Sequence, residues 1–132
     1  NAVAAKLLTR LHKKLENYED EITTYKFFGA EDYDTLIVAY GCVTRAAKDA
    51  ANAMNAEGGK VGVLQLQSLW PFPKKVVAEY AEKANKVLMP EMNLGQLIDQ
   101  VRLATNKPVE GLNRFDGAEI TPQQIIEKVR EM

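Results

Sequence analysis

The residues best placed to do chemistry fall in three short runs. Pro90-Glu91-Met92-Asn93 follows an apolar stretch and carries a carboxylate and an amide into the start of a helix. Gly41-Cys42-Val43-Thr44-Arg45 joins a second apolar run to a helix, and the amides of such a helix start carry partial positive charge that suits an anion. Trp70-Pro71-Phe72-Pro73 sets two aromatic rings on a stiff backbone, a kind of loop that anchors interfaces. Each run also has a plainer reading. Asn93 suits an N-cap with Gln96 as its reciprocal partner, Gly41 to Arg45 reads as a tight turn with Thr44 near the cap, and the aromatics can cover the domain's own core. Capping leaves Glu91 over, as either an intersubunit hydrogen-bonding group or a solvated loop charge. Gly95 in the first turn of a helix costs about 1 kcal/mol relative to alanine, which favours close approach by another backbone.

Catalytic machinery is harder to assemble from this chain. Cys42 as a nucleophile needs an adjacent base, and the sole histidine, His12, lies far off in sequence beside the polar side of a lysine-rich helix. Cys42 therefore reads as a buried or half-buried bystander and His12 as a lone surface histidine. Gly41 to Arg45 lacks the further glycines of a P-loop or a dinucleotide fingerprint. The acidic run Glu19-Asp20-Glu21 lacks the alternating carboxylates of a calcium loop and reads as solvated linker. One cysteine and one histidine, with no cluster of either, speak against a zinc site or an iron–sulfur cluster within this chain. No catalytic, cofactor-binding or metal-ligating residue is expected here, and the candidate interface set is Trp70, Phe72, Glu91, Asn93, Gly95 and Gln96.

Composition narrows the class further. The 132 residues fit one domain with a sizeable core, and a net charge of −1 gives no footprint for nucleic acid or acidic membranes. The longest apolar run falls short of the ~18 residues a membrane span needs. A lone cysteine makes the cytoplasm the default compartment. The chain opens on Asn1-Ala2 and reads as a piece of something larger.

The elements that must position these runs follow from periodicity. Residues 3–18 place Ala4, Leu8, Leu11, Leu15 and Tyr18 on one helical face. Residues 1–24 read as a connector helix and linker, and 25–132 as the domain proper. Tyr25 to Phe28 is β-prone and closed by Gly29, an edge strand. Thr35 to Tyr40 is nearly all apolar, the mark of a strand buried on both faces. Val43, Ala46, Ala47, Ala50 and Met54 line a helix that stops at Gly58-Gly59. Val61 to Leu69 is the next strand, followed by a helix with Val76, Val77, Tyr80, Ala81 and Ala84 inward. Val87 to Met89 is a short strand; Leu94, Leu97, Ile98 and Val101 then face inward on a helix. Pro108 to Leu112 is a weaker strand, and Thr121-Pro122-Gln123-Gln124 opens the last helix with a cap, a proline and a capping-box glutamine. Strands alternating with helices imply parallel pairing. The fold class is therefore α/β, a three-layer sandwich on a mostly parallel sheet of four or five strands, with Tyr25 to Phe28 as an antiparallel edge.

The segments Asp34 to Gly41 (DTLIVAYG), Arg45 to Lys48 (RAAK), Lys60 to Pro73 (KVGVLQLQSLWPFP) and Val87 to Gln96 (VLMPEMNLGQ) closely resemble the α subunit of 2-oxoacid:ferredoxin oxidoreductases. The similarity is to its C-terminal domain, which resembles the C-terminal domain of transketolase. Asn113 to Gly117 followed by Thr121-Pro122 looks like the 2-oxoglutarate members. The resemblance implies an enzyme that decarboxylates a 2-oxoacid on thiamine diphosphate with magnesium, reduces ferredoxin through iron–sulfur clusters and forms an acyl-CoA. It implies a β subunit, and γ or δ subunits, as partners, with no nucleic acid and no membrane. The family's diphosphate motif, Gly-Asp-Gly followed by asparagine, is absent from this sequence, so the resemblance implies an assembly domain that is inactive alone. The competing reading is an autonomous regulatory module that binds an anion or nucleotide between Gly41 and Arg45. A third is the equivalent domain of a transketolase or a 2-oxoacid dehydrogenase.

Overall fold

The computed structural model describes residues 3–11, 24–92, 97–114 and 118–132. Five strands, β1 (Tyr25–Gly29), β2 (Thr35–Tyr40), β3 (Val61–Leu66), β4 (Lys86–Glu91) and β5 (Val109–Asn113), form one sheet in the order β1-β3-β2-β4-β5. β1 runs antiparallel to β3; the other pairings are parallel. Helix α1 covers residues 3–11, and α2 (Val43–Ala56), α3 (Lys74–Glu82), α4 (Ile98–Ala104) and α5 (Pro122–Glu131) follow among the strands. The mostly parallel sheet and its antiparallel edge match the expected fold class.

Side chains alternate across a strand, so the apolar run of β2 feeds two cores at once. Ile37 and Ala39 join Val61, Val63 and Leu88 against α2 and α5. Leu36 and Val38 join Leu64, Leu66, Val87 and Met89 against α3 and α4. The alanine face of α2 (Ala47, Ala50, Ala51) lets that helix sit close on the sheet. Full burial of a leucine or isoleucine contributes roughly 1.5–3 kcal/mol, and Leu36, Ile37, Leu64 and Leu88 are all fully buried. Gly62 makes room for aromatic packing on β3, because a Cβ there would stand 2.7 Å from the Phe27 ring. Phe27 in turn stacks on Tyr80 with ring centroids 5.3 Å apart.

The amino ends of the strands are tied down by polar groups of the chain itself. Asn55 Nδ2 donates to the Val61 carbonyl at 2.9 Å, and the Val61 amide donates back to Asn55 Oδ1 at 2.8 Å. Lys86 Nζ reaches the Val129 carbonyl at 3.2 Å near the end of α5. The Asn85 amide donates to the Asp34 carbonyl at 2.8 Å.

Two strand ends differ from the sequence reading by two residues or more. β3 stops at Leu66 rather than Leu69, where Gln67 and Ser68 turn their amides back to the Thr24 carbonyl. β4 runs on through Pro90 to Glu91 instead of ending at Met89. The proline is tolerated because β4 pairs with β2 only from Lys86 to Leu88, while the β5 ladder continues to Glu91. On the β2 side Pro90 is therefore locally an edge residue, with no ladder bond to lose. The capping pair Asn93 and Gln96, with Leu94 and Gly95, lies outside the described residues, as do residues 12–18 of the first helix, His12 and the acidic run. Helix α4 is described from Ile98, with Leu97 in the cap position.

Candidate functional site at the carboxyl ends of the central strands

From β2 the chain passes to β3 on one side, then crosses back to β4 on the other. The strand order thus reverses between β2 and β4, and in open α/β sheets ligands favour the crevice outside the carboxyl ends at such a point. Here the β2–β4 ladder has already ended at Ile37 and Leu88, so the two strand ends are held by side chains instead. Tyr40, the last residue of β2, donates its hydroxyl to Glu91 Oε2 at 3.2 Å. The Leu97 amide donates to both Glu91 oxygens at 3.3 Å.

Glu91 is only 1% exposed. It is neither a solvated loop charge nor an outward-pointing group, because it closes β4 rather than following it and its carboxylate turns inward. By accepting from Leu97 it does for α4 what a side-chain cap does elsewhere. Nothing in the local sequence announces this role, since Tyr40 lies 51 positions away.

The N-terminal ends of α5 and α2 contrast. At α5, Thr121 Oγ1 accepts from the Gln124 amide at 3.2 Å and Gln124 Oε1 accepts from the Thr121 amide at 3.0 Å, the expected capping box. α2 has Cys42 in the cap position, no side-chain cap bond and no acidic residue in its first turn. Gly41, with φ of 63°, makes the left-handed turn out of β2, and the Thr44 amide closes it on the Gly41 carbonyl at 3.2 Å. Thr44 itself stands inside the first turn rather than at the cap. Its Oγ1 is buried and is the one buried side-chain polar atom without a hydrogen-bond partner among the described residues. An unsatisfied buried hydroxyl costs about 1–3 kcal/mol. Cys42, expected to be buried or half-buried, is exposed, because the turn at Gly41 carries it past the end of the sheet.

A cavity of about 810 Å³ opens over this turn. Its walls include the first turn of α2, Lys48 and Asp49 from the next turn, Met92 beyond β4, and Glu119 and Ile120 before α5. Lys48 Nζ lies 3.9 Å from the centre of the Phe28 ring, and the Ile120 amide donates to Met92 Sδ at 3.3 Å. The sequence pointed to the turn but not to the loop before α5 that completes the wall.

The aromatic loop lies at the same edge, beyond β3, on the side of the sheet that carries α3 and α4. Phe72 packs against that core while Trp70 is 77% exposed. The two aromatics thus divide between the two readings, one covering the core and one facing outward.

The chain is similar to enzymes that act on 2-oxoacids. It is 37% identical to the 2-oxoglutarate synthase subunit KorA of Archaeoglobus fulgidus over 94% of its own length and 34% of that protein's. It is 34% identical to the ketoisovalerate oxidoreductase subunit VorB of Methanothermobacter marburgensis, over 92% of this chain and 35% of the relative. The chain therefore spans about a third of these curated relatives. Its fold superposes on a 2-oxoglutarate:ferredoxin oxidoreductase from Magnetococcus marinus, solved with 2-oxoglutarate, coenzyme A and succinyl-CoA bound, with a TM-score of 0.86 at 25% identity, covering 99% of this chain and 23% of that one. A split-gene transketolase, solved as an inactive β4 tetramer, superposes with a TM-score of 0.67 at 26% identity over 80% of this chain and 40% of that one. The domain is thus transketolase-like in fold, and the family model of the pyruvate:ferredoxin oxidoreductase core domain II matches residues 33–125. With more than half its length inside that match, the chain belongs to the pyruvate:ferredoxin oxidoreductase core domain II family.

Proposed function

We propose that this chain is the C-terminal, transketolase-like domain of the α subunit of a 2-oxoacid:ferredoxin oxidoreductase, and that its own task is assembly. The observation that carries the reading is the 37% identity to a 2-oxoglutarate synthase subunit across nearly the whole chain. The complete enzyme would convert a 2-oxoacid and coenzyme A to an acyl-CoA and carbon dioxide, passing two electrons to ferredoxin. The names of the Archaeoglobus relative and the Magnetococcus structure favour 2-oxoglutarate. The ketoisovalerate relative is nearly as similar, which suits an oxoacid selected by the other two-thirds of the enzyme.

Thiamine diphosphate with magnesium and iron–sulfur clusters would supply that enzyme's carbanion and electron-transfer chemistry. The residues of this chain do not fit them. No three or more His, Cys, Asp or Glu side chains converge on a metal-sized site among the described residues. The carboxylate of Glu91 is already held by two donors of its own chain. A cluster takes four thiolates, and the sequence has one cysteine.

In this reading Trp70 meets a neighbouring subunit, with Phe72 beneath it as a fixed base. Glu91 positions Leu97, and with it the approach to Asn93, Gly95 and Gln96, which belong to the same interface. Residues 1–24 serve as the connector from a preceding domain, a role that suits the exposed Val3, Leu7, Leu8 and Leu11 of α1. The partners are a β subunit, γ or δ subunits and, through the complex, ferredoxin, all in the cytoplasm. Co-expression of the whole complex with Trp70→Ala should lower the yield of assembled enzyme and its turnover; full assembly at wild-type turnover would remove the interface assignment. Calorimetry of the isolated chain with thiamine diphosphate should give no saturable heat, and clear saturation would overturn the division of labour.

A further inference from the structure

We propose that α1 is a docking helix, whose apolar face seats in a groove on another folded part of the same parent subunit, a groove apolar along its floor and lined with carboxylates along one rim. The proposal rests on the reading of residues 1–24 as the link to a preceding domain, and it turns that link from a tether into a fixed contact. α1 differs from the other helices of the chain. α2, α3, α4 and α5 each bury part of one face, whereas all of residues 3–11 are exposed. Most helical stability in proteins comes from packing an amphipathic face, not from propensity. The sheet does not supply that packing to α1.

Its apolar residues are not scattered. Val3, Leu7 and Leu11 follow one another along one side of the helix, with Ala4 and Leu8 next to them. The four large side chains are between 49% and 77% exposed, and they make up four of the seven exposed large hydrophobics among the described residues. A single exposed leucine calls for no explanation, but a contiguous stripe marks a contact surface. The polar residues are ordered too. Lys6 and Arg10 run together along one flank of the stripe, while Thr9, on the far side, turns its hydroxyl into its own helix and donates to the Ala5 carbonyl at 2.9 Å. A surface that covers the stripe therefore meets two cations along one rim, which carboxylates would complement.

The source of the cover follows from the proportions of the relatives. The superposition on the Magnetococcus chain takes in 99% of this chain, α1 included, but 23% of that one. The helix is thus part of the shared fold, in a polypeptide most of which lies beyond this domain. The Archaeoglobus relative is matched over 34% of its length, which leaves a comparable excess. A domain joined to α1 by the chain itself is held near it at high effective concentration, an advantage that a second copy or a lipid surface lacks.

The test is amide hydrogen exchange at Leu7 to Leu11, compared between the 132-residue chain and the full-length α subunit in its assembled complex. Exchange should be fast in the chain alone and slower by about a hundredfold or more in the complex. Leu7→Asp combined with Leu11→Asp should bring the complex back to within about tenfold of the fast rate. The same pair should leave the melting temperature of the 132-residue chain unchanged, because both side chains are exposed there. Equal exchange in the two forms, or protection that survives both aspartates, would overturn the proposal. So would a 132-residue chain that dimerises, or that sediments with phosphatidylglycerol vesicles, and loses that behaviour with Leu7→Asp, since the stripe would then belong to a second copy or to a lipid surface. Turnover of 2-oxoacids by the complex is scored separately. An active complex with unprotected α1 removes the docking alone, and an inactive complex with protected α1 keeps the docking and removes the enzymatic reading.

Discussion

Asn55 and Thr44 belong to the same helix, yet the chain treats them in opposite ways. Near the end of α2, at the amino edge of the sheet, Asn55 both gives and receives a backbone hydrogen bond with Val61. In the first turn, at the carboxyl edge, Thr44 keeps a hydroxyl without a partner. The edges differ in the same sense elsewhere. At the amino edge Lys86 and Asp34 tie strands to neighbouring segments. At the carboxyl edge the β2–β4 ladder gives out, Cys42 and Trp70 face outward, and a cavity opens over the turn. One edge is built for stability. The other leaves a donor unpaired and a ring exposed, with Glu91 as the exception that holds it together.

That exception provides the strongest test of the contrast. Glu91→Ala strips the acceptor from both Tyr40 and Leu97 and leaves a hole where a fully buried side chain stood. Hydrogen bonds to a charged group are worth about 1.5–3 kcal/mol, so urea unfolding should show a loss of about 3 kcal/mol. Glu91→Gln, which keeps the shape and one acceptor, should lose less than half of that. A loss under 1 kcal/mol for the alanine variant would mean that the carboxyl edge is held by other contacts. At the amino edge, Asn55→Ala removes two hydrogen bonds and should cost about 2 kcal/mol by the same measurement.

Tyr33 tests the core beneath. Its hydroxyl donates to the Tyr80 carbonyl at 2.6 Å, and burial, with Tyr80 and Glu79 adding to it, pushes the phenol from 10.0 up to about 12. The folded state therefore favours the neutral phenol. That contribution is complete below pH 10 and is lost as the pH climbs through 12. Tyr33→Phe should cost about 1 kcal/mol at neutral pH and flatten the alkaline fall in stability; an equally steep fall in the variant would assign it to other groups. The smallest effect belongs to Trp70→Ala, which should move the stability of the isolated chain by less than about 0.5 kcal/mol, as exposed positions generally do. A larger loss would place Trp70 in the fold rather than at an interface.

The sequence was readable where structure is local or periodic. Thr35 to Tyr40 showed its two-sided burial as an unbroken apolar run, and Thr121 with Gln124 showed its capping box in four residues. The candidate site was readable only in its addresses. Glu91 was singled out because capping left it unexplained, but its inward turn depends on Tyr40, which only the fold brings near. Cys42 misled for a similar reason: cysteines are usually buried, and only the turn at Gly41 carries this one clear of the sheet. Pro90 argued for a strand end because its tolerance depends on where the neighbouring ladder stops, which no run of residues along β4 records.

The exposure of Trp70 has a practical side. It is the only tryptophan in the chain, and it stands largely in water while the cores on both faces of the sheet hold none. Its fluorescence should barely change colour when the isolated chain unfolds, because indole is already hydrated in the folded form. Contact with a neighbouring subunit would strip that water and shift the emission to the blue. The protein thus carries a native optical probe that is nearly silent to folding and would report docking at Trp70.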